Sequence, residues 1–146
     1  MIFKGLYLAK DVAMEQKIRK TILAIDDAAT QLSIFKSFLG SRYDLALVKS
    51  APEALKLMDT RNFDLILLDI EMPDFSGFEF LHEIRKDPRF MTTPVIIVSS
   101  HADPEFLDHA KNSSAAGVLT KPVKSGQLHE AIDKAFAMPL ENPFGL

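Results

Sequence analysis

Past position 20, apolar residues come in short unbroken runs rather than in alternation with polar ones. The runs are Thr21–Ile25 (TILAI), Leu45–Val48 (LALV), Leu65–Leu68 (LILL), Pro94–Val98 (PVIIV) and Gly117–Leu119 (GVL). A strand with one wet face alternates, whereas a strand covered on both faces does not. The runs therefore predict a parallel sheet sandwiched between helices. The segments between them are amphipathic and have marked starts. Ser50 with Glu53 (SAPE) and Ser76 with Glu79 (SGFE) read as capping boxes. Asp103 before Pro104 reads as an N-cap followed by proline at the first helical position. The last helix, near Gly126 to Phe136, carries Leu128, Ile132 and Ala135/Phe136 on one face, and Pro139 and Pro143 oppose its continuation. Five strands alternating with five helices, joined by connections long enough for right-handed crossovers, predict a doubly wound α/β domain.

Composition narrows the class. The chain has 146 residues, 47% hydrophobic and 25% charged, which suits one ordinary globular domain. A net charge of -3 offers no basic footprint for nucleic acid or an anionic membrane, so direct DNA binding is not expected. With no cysteine there is no disulfide, thiolate nucleophile or zinc–thiolate site. No apolar run approaches the length that spans a bilayer, and Lys4, Lys10 and Asp11 interrupt any signal-like stretch. A cytoplasmic protein is expected, with an extension at 1–19, a domain at 20–138 and a tail at 139–146. In the extension, Ile2, Phe3, Leu6 and Tyr7 permit a short docking or dimerising helix, and with it a homodimer; a frayed terminus is the alternative.

In an open α/β sheet, ligands bind beyond the carboxyl ends of the strands. Asp26 and Asp27 follow the first run, Asp69 the third, Ser99 and Ser100 the fourth, and Thr120, Lys121 and Pro122 the fifth. Each alone has an ordinary explanation as a helix cap or loop residue. As a set they share one job. Two or three carboxylates with a backbone carbonyl make a hard oxygen site suited to Mg2+. A spare carboxylate can serve as nucleophile and form an aspartyl-phosphate. A lysine supplies a point charge, and a serine hydroxyl a hydrogen bond to a phosphoryl oxygen.

Laid out this way, residues 20–137 resemble a receiver domain of two-component response regulators. The matching motifs are the acid pair, LLDIEMPDFSG, VSS and TKP, in that order. The resemblance implies a flavodoxin-like sheet of order 2-1-3-4-5. It implies that Asp69 is the phosphoacceptor, and that Asp27, Asp69 and the backbone carbonyl of Glu71 ligate Mg2+, with Asp26 acting through water. Ser99 and Lys121 would bind the phosphoryl group, and a cis bond before Pro122 would orient Lys121. The donor would be a sensor histidine kinase or a histidine phosphotransfer protein, read through the exposed face around Ala29 to Phe38. With no output domain in the sequence, the output of such a stand-alone receiver would be a downstream protein target or phosphate relayed onward.

Three positions depart from the commonest pattern of that family. Val118 stands where a switching aromatic is frequent, and Glu71 and His101 flank the mouth of the site. Val118 is the main support for the alternative of a receiver-fold interaction module that is never phosphorylated. An aspartyl-phosphate phosphatase resembling the haloacid dehalogenases would want D-x-D where this chain has Asp69-Ile70-Glu71. A flavin phosphate would want donors after the first strand, where two carboxylates stand.

Overall fold

The computed structural model describes residues 19–138 apart from Asp74; the apolar pattern at residues 2–7 and the tail lie outside them. The elements alternate along the chain: β1 (Thr21–Ile25), α1 (Ala29–Leu39), β2 (Asp44–Val48), α2 (Ala51–Met58), β3 (Leu65–Leu68), α3 (Gly77–Arg85), β4 (Val95–Ser99), α4 (Pro104–Asn112), β5 (Gly117–Thr120) and α5 (Ser125–Ala137). All strand pairs are parallel, and the sheet order is β2-β1-β3-β4-β5. The chain thus has the flavodoxin-like topology that the resemblance implies. Among the described residues no helix is long and apolar enough to cross a membrane.

The unbroken apolar runs are explained by what covers each face. On one face Ile22, Leu65, Leu67 and Ile96 pack against Leu32, Phe35 and Leu39 of α1 and Leu128 and Ile132 of α5. On the other, Leu23, Ile66, Leu68 and Ile97 meet Ala54 and Met58 of α2, Phe80 and Ile84 of α3, and Ala110 of α4. Burying such a side chain contributes about 1.5–3 kcal/mol relative to leaving it exposed.

The ladder runs past the apolar residues at two strands: Ser99 and Thr120 are themselves register partners. Backbone pairing needs no apolar side chain, so the polar ends expected as loop belong to strands. The helix caps also hold, with two differences, the first being that Glu53 Oε2 accepts from the Lys49 amide at 3.1 Å, one residue before the expected Ser50. Ser50 Oγ accepts from the Glu53 amide at 3.2 Å, and Asp103 Oδ1 from the Phe106 amide at 2.9 Å. Ser76 Oγ, by contrast, accepts from Phe78 rather than from Glu79, in a first turn whose Gly77 N–H is bonded to the Ile70 carbonyl.

Candidate functional site

The acid pair is positioned by one extra ladder bond. Asp26 N–H donates to the Val48 carbonyl at 3.1 Å, so Asp26 prolongs β1 and its side chain is only 1% exposed. Its Oδ1 accepts from the Ala28 amide at 2.9 Å, which turns the chain toward α1. Asp27, one residue on, is exposed. Asp69 is placed the same way, its amide donating to the Ile25 carbonyl at 3.0 Å, and Glu71 N–H donates to its Oδ1 at 3.2 Å. Because β1 and β3 are neighbours, the two strand ends bring one carboxylate oxygen each from Asp26, Asp27 and Asp69 within 4.8 Å of one another.

From β5, Lys121 Nζ reaches Asp26 Oδ2 at 2.7 Å and lies 3.6 Å from Asp69 Oδ2. Its first partner is therefore Asp26. The Lys121–Pro122 bond is cis, and Lys121 N–H donates to the Ser99 carbonyl at 2.8 Å. Ser99 is fully buried; its Oγ accepts from the His101 amide at 3.1 Å, which leaves the hydroxyl proton to give. Asp69 carries the electrostatic signature of the site. Burial first, then the Asp26 carboxylate, raise its pKa from 3.8 to about 7; Lys121 opposes the rise, and Asp27 adds to it.

Above the acids, His101 Nδ1 contacts Glu71 Oε1, and Ser100 Oγ donates to Glu71 Oε2 at 3.4 Å. The two positions expected to flank the mouth are thus joined across it. The His101 ring meets Phe106 at 5.7 Å, Phe106 meets Phe78 at 5.9 Å, and Phe78 stacks on His109 at 4.1 Å. Val118 is half-buried and packs on the same core cluster as Phe78 and Phe106.

One residue of the site was given no role from sequence. A Cβ on Gly77 would come within 2.7 Å of the Asp69 carbonyl oxygen and of Ile70 Cα. Only glycine lets α3 begin so close to the end of β3. The signal was the glycine of DFSG, but the close approach depends on backbone eight residues earlier. The aromatic contacts around Phe106 gave no sequence signal, because their partners lie on different elements.

The model of the response regulator receiver domain matches residues 22–133. The chain belongs to that family. This receiver domain is 31% identical over 120 residues to the chemotaxis protein CheY of Pseudomonas aeruginosa, covering 79% of the chain and 94% of that protein. It is 34% identical over 110 residues to a two-component response regulator of Arabidopsis thaliana, covering 73% of the chain but only 18% of the plant protein. Among solved structures, chemotaxis protein CheY4 of Vibrio cholerae superposes with a TM-score of 0.74 at 26% identity, covering 80% of this chain and 98% of that one. Receiver domains bind Mg2+ at an acidic pocket and are signalling switches that work with histidine kinases and phosphotransfer proteins. The residues here fit such an ion, since the three clustered carboxylates are hard oxygen donors that repel one another without a cation.

Proposed function

We propose that Asp69 accepts a phosphoryl group from the phosphohistidine of a sensor histidine kinase or a phosphotransfer protein, and that residues 20–138 form the unit that responds. The observation behind this reading is the setting of Asp69: its side chain is 4% exposed, clustered with two other acids and 3.6 Å from the Lys121 ammonium. Asp27, Asp69 and the Glu71 carbonyl would hold Mg2+, with Asp26 acting through water. When bound, the ion neutralises charge on the transferring group and orients it.

The chain's own residues do the rest. An Asp69 carboxylate oxygen attacks phosphorus, the P–N bond to the donor imidazole breaks, and that nitrogen takes a proton. Lys121 leaves Asp26 for a phosphoryl oxygen, and the Ser99 hydroxyl donates to another. Near-complete switching from a mostly inactive state takes roughly 5 kcal/mol of differential interaction, within reach of several charge-assisted hydrogen bonds. Drawing Ser99 and Lys121 inward shifts the surface of α4, β5 and α5, where a downstream protein target reads the state. Hydrolysis resets it: water attacks phosphorus, and inorganic phosphate leaves Asp69.

A second reading, a receiver-fold interaction module that is never phosphorylated, is favoured by Val118, which fills space but cannot rotate a ring. Intact mass after incubation with acetyl phosphate and Mg2+ separates the two. The switch predicts a single Mg2+-dependent phosphoryl adduct that Asp69→Ala abolishes. No adduct, with either acetyl phosphate or a phosphorylated histidine kinase as donor, selects the silent module.

A further inference from the structure

Helices α3 and α4 leave between them a groove of about 350 Å³, on the face of the sheet away from α1 and α5. Phe78 and Leu81 supply apolar lining, His82, Arg85 and His109 the basic lining, and none of its lining residues is a carboxylate. Phe78 and His109 are stacked at 4.1 Å with their planes 23° apart, forming a flat wall.

Arg85 is in an unusual position. Its Nε donates to Ser114 Oγ at 2.9 Å, its Nη1 to the Phe90 and Thr93 carbonyls, both at 2.7 Å, and its Nη2 to the Ser114 carbonyl at 3.2 Å. Every acceptor is neutral, and none of the ion pairs among the described residues includes Arg85. Burial pulls its pKa below the ordinary guanidinium value. Among the described residues those neutral acceptors are its partners, so this half-buried cation has hydrogen bonds but lacks the Coulomb attraction that a carboxylate would add. One Nη2 N–H and the hydroxyl proton of Ser114 are uncommitted, so an arriving anion finds both charge and donors.

We propose that this groove docks a short protein segment presenting one carboxylate beside an apolar side chain. The carboxylate meets Arg85 and Ser114, and the apolar side chain lies against Phe78, Leu81 and the His109 ring. The volume suits one large side chain and its neighbour rather than a folded surface. A nucleic-acid strand is disfavoured, because its continuous phosphates would run past exposed Glu79, Glu83, Glu105 and Asp108 on the same two helices, on a chain of net charge -3. Nothing in this docking depends on chemistry at Asp69.

The test is to titrate a fluorescein-labelled peptide, Gly-Ser-Asp-Leu-Phe-Gly-Ser, with the full chain, following anisotropy and backbone amide shifts. Saturable binding is expected, with shifts concentrated at residues 78–85 and 109–114. An Asn-Leu-Phe version should bind about tenfold more weakly, having lost one charge-assisted hydrogen bond. Replacing Arg85 itself risks the fold, so the decisive variant is Ser114→Glu, which brings a carboxylate to Arg85 from within the chain. It should abolish peptide binding while leaving Tm unchanged or raised. Equal affinity for the two peptides, shifts outside the groove, wild-type binding by Ser114→Glu, or tighter binding of a ten-residue oligothymidylate would each overturn the proposal.

Discussion

Helices α1 and α4 each follow a strand that carries site residues, yet they are held in opposite ways. Helix α1 buries Gln31, Leu32, Phe35 and Leu39, and its N-cap position, Ala28, offers no side-chain cap. Helix α4 buries only Ala110, but it has Asp103 as a bonded N-cap and Pro104 at its first position. The first is made by its seat on the sheet, the second by its own ends. A helix that keeps its shape without a deep seat can be moved cheaply, because shifting it exposes little apolar surface. That is what a switch needs near Ser99, and it places the more shallowly seated helix on the side of the fold where His101 and Phe106 connect to the site. Val118 of β5 adds no ring to that connection. The rings between the mouth and α3 belong to α4 and its approach rather than to β5.

The largest test of this contrast is core truncation. Phe35→Ala in α1 should cost about 3–5 kcal/mol in urea unfolding, whereas Leu107→Ala, half-buried in α4, should cost about 1 kcal/mol. Equal costs would end the comparison.

Next comes the charge at Asp69. Its folded pKa of about 7 lies above the ordinary 3.8, so between those values the folded state holds a proton that the unfolded state has lost. Stability of the metal-free protein should therefore fall as pH rises from about 4 to 7, then level off. Asp69→Asn removes the dependence and should stabilise the protein by about 2 kcal/mol at pH 8, with the gain gone near pH 4. Adding Mg2+ to the wild type at pH 8 should also raise Tm. Hydrogen exchange sharpens the point: the Asn variant should alter protection in α4 and leave α1 unchanged.

The smallest effect concerns the local hold on α4. Asp103→Ala should cost about 1 kcal/mol or less globally, yet accelerate exchange of the α4 amides before any change appears in α1. Uniform acceleration across both helices would mean that α4 is seated by tertiary contacts after all.

Much of this was legible in the sequence because it is local. The strands lie within a residue of their apolar runs, since continuous apolar character reports two covered faces. The start of α4 was readable from Asp103 and Pro104, and that of α1 was not, because α1 has no side-chain cap to read. The strand ends also announced Asp26, Asp27, Asp69, Ser99 and Lys121 as candidates, and their order along the chain carried the family. Only the tertiary structure decided how these groups act on one another. Lys121 pairs with Asp26 across 95 positions, the proton affinity of Asp69 follows from burial and from a carboxylate on the next strand, and Arg85 is left among neutral oxygens by two separate loops. Helix and strand propensities are set by neighbours along the chain. Desolvation and Coulomb energy are set by neighbours in space, and those exist only once the sheet has chosen its order.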